Sequence, residues 1–155
     1  EILIGLVGSE MCIRDRPRTY AQRKAWVESH HDPYAVFVTT VPATDAATEG
    51  GERIIGFSAL SVFYDRAGYD GVTDLAYYIA PEWQGRGAGT FTLARLLDEC
   101  RNRHMRKACG IIFADNRGSI ALMKHFGFTQ FGLMPQAATD STGTMRDMSY
   151  WHLDL

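Results

Sequence analysis

Runs of apolar residues change period several times along the chain, and each change predicts an element. Residues 35–41 read Ala-Val-Phe-Val-Thr-Thr-Val, β-branched and aromatic, which predicts a strand over Ala35–Val41. The polar stretch 42–52 carries Gly50-Gly51, a natural hairpin connection to a second strand over Arg53–Phe63. Gly56 inside that strand marks a bulge or a close backbone approach. After the turn-rich link 64–71, Val72–Ala80 (VTDLAYYIA) predicts a third strand, closed by Pro81. The period then becomes helical: Phe91, Leu93, Ala94, Leu96, Leu97 and Cys100 predict a helix over Ala88–Arg103. Upstream, Thr19 and Gln22 fit a capping box for a helix over Tyr20–His30, with Ala25, Trp26 and Val27 on its buried side. Downstream come a strand over Ala108–Ala114, a short helix over Ser119–Phe126 stopped by Gly127, a strand over Phe128–Met134, a polar loop over 135–144 and a last strand over Arg146–Leu155. The order α-β-β-β-α-β-α-β-β predicts a mixed α/β sheet with helices on both faces.

Composition narrows the function classes. A chain of 155 residues fits one domain, and 46% hydrophobic with 22% charged residues excludes disorder. Sixteen basic against eighteen acidic residues leave −2, no field that would attract a polyanion, so no nucleic-acid partner is expected. Arg101, Arg103, Arg106 and Lys107 gather where they complement a helix C-terminus. No apolar run is long enough for a transmembrane helix, so no membrane partner is expected. Cys12, Cys100 and Cys109 show no CxxC spacing and cannot all pair, which predicts a reducing, cytoplasmic protein; no metal site is expected.

Residues 1–16 (EILIGLVGSEMCIRDR) stand apart. Ile2–Val7 reads as a first strand followed by a turn at Gly8-Ser9, too short and with the wrong flank for a signal peptide. The string GLVGSEMCIRDR also resembles a translated sequencing-adapter read. On that reading 1–16 is a non-native tail, and 17–155 is a single domain truncated at its N-terminus.

The densest chemical signal is Gln84-Gly85-Arg86-Gly87-Ala88-Gly89-Thr90, joining a strand to the start of a long helix. Glycines let the backbone turn tightly and approach a ligand, and the helix's first-turn N–H groups form an anion site suited to a pyrophosphate. A Walker loop needs a lysine after its last glycine, where this chain has Thr90. A dinucleotide fingerprint needs G-x-G-x-x-G, and Gly85, Gly87 and Gly89 have the wrong last spacing. What remains is Q-x-x-G-x-G.

That motif, after a strand ending in Pro and before a helix, a strand, an Asn-containing turn and a helix ending in Gly-Phe, resembles the GCN5-related N-acetyltransferase (GNAT) family. The resemblance covers roughly 17–155 and is greatest to phosphinothricin acetyltransferase-like enzymes, through GYDGVTD at 68–74, YIAP at 78–81 and NRGSIALMKHFGF at 116–128. It implies a mostly antiparallel central sheet whose first strand and helix are missing here or replaced. It also implies acetyl-CoA as co-substrate, its pyrophosphate on Gly85, Arg86, Gly87, Ala88, Gly89 and Thr90 with Gln84 ahead. The pantetheine arm would lie along the main chain of Tyr77, Tyr78 and Ile79, one N–H polarising the thioester carbonyl. Asn116 and Ser119 would hold its other side.

Acetyl transfer to an amine needs a base, because alkyl amines are mostly charged at neutral pH. Asp74 interrupts an otherwise apolar strand, at the position where the resembling subgroup carries its catalytic glutamate. Many relatives place a Tyr or His four residues before Gly-Phe to protonate the departing thiolate; here that residue is Met123. His125 lies about 200° further round the helix and reads as a surface residue, so either solvent or Tyr78 protonates the thiolate. Phe63, Arg66 and Tyr69 precede Asp74 and are the candidate substrate-binding residues, with Arg66 able to grip a carboxylate. The subgroup's aromatic and basic residues before the last strand are replaced by Gly143-Thr144-Met145-Arg146, which weakens the case for an amino-acid-like substrate. Trp26, Trp83 and Trp151 read as packing residues, and His152 as structural. The expected activity is N-acetylation of a small molecule's primary amine by direct attack in a ternary complex. Alternatives are a protein N-terminal or lysine acetyltransferase, or a non-catalytic acyl-CoA-binding module; the resemblance also implies a homodimer.

Overall fold

The computed structural model describes residues 19–43 and 51–155, so the 1–16 tail and most of the 42–52 loop lie outside the described residues. Three helices and six strands follow in the expected order: α1 (Tyr20–Glu28), β1 (Ala35–Pro42), β2 (Glu52–Val62), β3 (Val72–Ile79), α2 (Ala88–Asn102), β4 (Lys107–Phe113), α3 (Arg117–His125), β5 (Thr129–Thr139) and β6 (Met145–Asp154). The strands form one sheet in the order β1-β2-β3-β4-β6-β5. All neighbours are antiparallel except β3 and β4.

Alternation along the strands sorts the two faces. Leu60 of β2 and Leu75 of β3, paired in register, join Leu93, Leu96 and Leu97 of α2 and Met123 of α3 in one core, with Ala108, Phe128 and Trp151. Both α2 and α3 therefore cover that face. The opposite face carries Ala59, Ser61, Asp74 and Ala76, and α1 lies against it through His30, whose Nε2 is 3.0 Å from Ser61 Oγ. The capping box at Thr19 and Gln22 forms with both hydrogen bonds.

Gly56 accounts for both features expected of it. The β1–β2 register slips beside it, between Thr39 and Thr40, and a Cβ there would stand 2.5 Å from the Tyr78 carbonyl oxygen. Three details depart from the sequence pattern. Ala25 and Val27 are exposed, and α1 turns Arg23, Trp26 and His30 toward the sheet instead. Phe91 is 60% exposed, while its neighbour Thr92 is buried and bonds Thr39 across its hydroxyl at 2.8 Å. Strand β5 does not stop at Met134. It runs through Pro135 to Thr139 by a bulge, with Gln136 in left-handed backbone (φ 48°) and its N–H donating to Asp147 Oδ1. An edge strand has one side free of ladder bonds, so it tolerates the proline.

Candidate active site

β3 and β4 meet at their N-terminal ends and separate toward their C-terminal ends. Gly71 O accepts from the N–H groups of Arg106 and Lys107, and the parallel register runs only from Val72 and Lys107 to Asp74 and Cys109. Beyond Asp74, β3 has no β4 partner, so Leu75–Ile79 presents an unpaired strand edge to a wedge-shaped opening. Each wall of the wedge leads directly into a helix: β3 into α2, β4 into α3. Crevices outside the carboxyl ends of diverging parallel strands are where α/β sheets bind ligands.

The N-terminal end of α2 is open. Gly85 (φ 70°) and Gly87 (φ 87°) are left-handed, a Cβ on either would meet open space, and Gly87 is the N-cap with no side chain closing the helix. No acidic residue occupies the first turn of α2 or α3. The first-turn N–H groups and the positive end of the helix dipole therefore face outward uncompensated. Gln84 donates its amide to Ile79 O at 3.0 Å, tying the turn to the end of β3, and Arg86 lies over the Trp83 ring at 5.6 Å. A left-handed Cβ costs about 1–2 kcal/mol. Gly87→Ala is accordingly expected to weaken acetyl-CoA binding about tenfold by calorimetry, because the turn must leave its anion-binding shape.

Across the wedge, Asn116 caps α3, its Oδ1 accepting from Ser119 N at 3.1 Å, so the amide N–H₂ takes no part in the cap. Tyr77 reaches toward this wall. Its hydroxyl is buried without a hydrogen bond of ordinary geometry, burial raises its pKa, and the Ser119 hydroxyl lowers it by less. A buried polar atom without a partner carries a free-energy cost that a ligand's hydrogen bond relieves. The residues present thus fit acetyl-CoA: an unpaired strand edge and two left-handed glycines before a helix N-terminus. Tyr78, one position on, stacks on Phe57 with ring centroids 4.7 Å apart.

Asp74 sits at the apex of the wedge, the last β3 residue paired with β4. Its Oδ1 is buried with no hydrogen-bond partner, and burial pushes its pKa up from 3.8 to about 6. Cys109 opposite is pushed up to about 11, by burial first and by the Asp74 charge second, so it stays a neutral thiol. Phe63, Arg66 and Tyr69 lie at the other end of β3 from the glycine turn, on the Asp74 side. Tyr69 contacts Phe63 (5.9 Å) and Tyr64 (5.2 Å), and Arg66 lies 6.0 Å from the Tyr64 ring. At about 3.3 Å per residue, β3 therefore separates an anion-binding end from an aromatic end, with the carboxylate between.

Other candidates fall outside the wedge. Met123 is fully buried against Gly110, whose added Cβ would be 2.8 Å from its Cε. His125 is exposed against Phe126, and His152 bonds Lys107. Trp151 is buried and donates to Ser149 Oγ. Arg146 is held by Asp140 and Asp115. A groove of about 300 Å³ between β1 and α2, lined by Phe37, Thr39, Phe91 and Arg95, lies over β1 and β2 and holds none of the expected site residues. His30 and Ser61 were not legible as site residues, since nothing local in the sequence signals that they meet on the Asp74 face. Among the described residues no three His, Cys, Asp or Glu side chains cluster to hold a metal, and no helix is long and apolar enough to cross a membrane.

A carboxylate stands at the apex of two splayed strands, with a glycine turn and two helix N-termini at the mouth. The chain belongs to the Acetyltransferase (GNAT) family, whose model matches residues 9–128. Over 151 residues it is 26% identical to the L-methionine sulfoximine/L-methionine sulfone acetyltransferase of Pseudomonas aeruginosa, covering 96% of this chain and 83% of that protein. It is 30% identical over 118 residues to the phosphinothricin N-acetyltransferase of Streptomyces coelicolor, covering 75% and 65%. The structure of YncA from Salmonella typhimurium, solved with its cofactor acetyl-CoA, matches at TM-score 0.81 and 26% identity, covering 97% of this chain and 82% of that one. The protein is an N-acetyltransferase with acetyl-CoA as co-substrate.

Proposed function

We propose that this enzyme acetylates the primary amine of a small molecule by direct attack in a ternary complex, with Asp74 as the base. The observation that carries this reading is the placement of Asp74: at the apex of the wedge, between the anion-binding turn and the aromatic loop, with Oδ1 buried and without a partner. A carboxylate brought up to about 6 is a better proton acceptor than one at 3.8 and is still ionised at pH 7–8. It has to draw a proton from an ammonium whose ordinary pKa is about 10. Acetyl-CoA, when bound, supplies an acetyl group on a thiol leaving group. Gly85–Thr90 present backbone N–H groups to its pyrophosphate, the Tyr77–Ile79 edge accepts the pantetheine amides as an added strand would, and Asn116 and Ser119 form the other wall. Met123 has no proton to give, so solvent protonates the departing thiolate, which a thiol pKa of about 8.5 permits.

Phe63, Tyr69 and Arg66 line the acceptor side, and Arg66 is the cation placed to receive a carboxylate on the amine. The printed names of the relatives above, which act on methionine sulfoximine and phosphinothricin, support an amino-acid analogue. The two cysteines of the core, Cys100 and Cys109, are free thiols, which supports a reducing, cytoplasmic location. Exposed Phe131, Leu133 and Met134 on edge strand β5 support a homodimer through that edge. The test is a thiol-release assay over a panel of small amines, amino-acid analogues and peptides, with calorimetry for acetyl-CoA. Turnover is expected with the small amines and fastest with those bearing a carboxylate. Acetyl-CoA binding with no turnover on any amine overturns the reading.

A further inference from the structure

The C-terminal end of α1 brings a histidine to the Asp74 face of the sheet. His30 Nδ1 lies 2.7 Å from Trp26 O, and a carbonyl only accepts, so Nδ1 carries a proton. In the neutral ring Nε2 is then a lone pair, and Ser61 Oγ, 3.0 Å away, donates to it. The Trp26 ring stands edge-on to the imidazole at 4.5 Å and fixes its plane. Ser61 in turn pairs directly with Asp74 across β2 and β3, so the two side chains leave the same face with Cβ atoms about 5 Å apart. The Ser61 backbone is held by Thr73 Oγ1, which donates to its carbonyl at 3.0 Å. A carboxylate with an unpartnered inner oxygen, a hydroxyl whose proton is committed to nitrogen, and an imidazole of set tautomer thus stand in a row. Among the described residues, Cys109 from β4, a neutral thiol, faces Asp74, and Arg23 from α1 lies two turns before His30 on the same stripe.

We propose that Ser61 and His30 form the outlet through which Asp74 discharges the proton it takes from the substrate amine. This rests on the reading of Asp74 as the base. Protonated Asp74 gives its proton through one water to Ser61 Oγ, and Ser61 passes its own hydroxyl proton to His30 Nε2. Asp74 returns to the carboxylate, the serine and the water are unchanged, and the imidazolium, half-buried at the end of α1, keeps Nδ1–H on the Trp26 carbonyl and releases its Nε2 proton to bulk water. The ring is then neutral for the next cycle. Both residues act through Asp74, so their removal lowers kcat and leaves acetyl-CoA binding alone.

The test compares His30→Gln, Ser61→Ala and the double variant with Asp74→Asn, at saturating acetyl-CoA and amine, alongside melting curves and acetyl-CoA calorimetry. Glutamine can still accept the Ser61 hydrogen bond but cannot take a proton, so a purely structural role survives His30→Gln. The expected result is a kcat about tenfold lower in His30→Gln, with both KM values unchanged and exogenous imidazole restoring turnover. Ser61→Ala is expected to lose as much, and the double variant no more than either. Wild-type kcat in His30→Gln, or a loss that imidazole does not restore, overturns the relay. Should His30→Gln fail to fold, Ser61→Ala decides, and its wild-type turnover overturns the relay. If Asp74→Asn keeps full activity, the base assignment fails and the relay with it; if only the His30 and Ser61 variants keep it, the relay alone fails.

Discussion

Asp74→Asn is expected to lower kcat by at least about a hundredfold while leaving acetyl-CoA affinity intact and making the folded protein more stable. The stability gain follows from the same burial that suits the group to its task. Asp74 has an ordinary pKa of 3.8 and is raised to about 6 in the fold, by burial and with no partner on Oδ1. Between those values the folded state keeps a proton that the unfolded chain has lost. Stability contributed by the protonated form is therefore full below about 3.8, falls as pH rises through this window, and is gone above about 6. The corresponding cost at pH 8 is roughly 3 kcal/mol at most, and nearer 1–2 kcal/mol for a half-buried carboxyl. Asparagine carries no charge and escapes it, so the variant should melt several degrees higher at pH 8, and by less at pH 4. In the wild type, kcat/KM should rise through an apparent pKa near 6 as Asp74 ionises. That limb should be absent from the variant's residual rate. An equal fall in acetyl-CoA affinity, or a lower melting temperature at pH 8, would count against the assignment.

Met123→Ala is expected to cost about 2–5 kcal/mol, a large part of the 5–15 kcal/mol that typically holds a domain together. Met123 is fully buried between α3 and β4, its thioether lying over Gly110, which has no side chain to fill a void. Truncation leaves a cavity over the Gly110 backbone, in the core that Met123 shares with Leu93, Leu96 and Trp151. The melting temperature should fall by about 10 °C, measured calorimetrically. Below that transition kcat should be unchanged, because the residue donates no proton. Met123→Leu, which conserves volume, should cost less than about 1.5 kcal/mol and keep full activity. A leucine variant that folds normally but loses kcat would show that the sulfur or its position serves the chemistry.

The glycine turn, the capping box at Thr19 and Gln22, the bulge at Gly56 and the order of elements were all legible in the sequence. Each is set by a few neighbouring residues: a left-handed turn favours glycine, a cap needs a side-chain acceptor, and an amphipathic stripe needs a period. Family resemblance added the coenzyme and pointed to Asp74. What periodicity could not show was which apolar positions meet a partner. Phe91 fits the helical stripe of α2 and is exposed, while Arg23 and His30, polar residues outside any apolar stripe, face the sheet from α1. Nor does a strand's sequence say where its pairing ends. The divergence of β3 from β4 after Asp74 opens the site, and it depends on Gly71, Arg106 and Lys107 closing the other end. His30 and Ser61 are 31 residues apart and meet only because a helix folds across one particular face of the sheet. The sequence by itself determined the local elements and the left-handed glycine turn, because backbone conformation follows from neighbouring side chains. Tertiary structure alone decided the wedge, the burial of Asp74 and the row that runs from it to His30, because those depend on pairings between segments that no local pattern encodes.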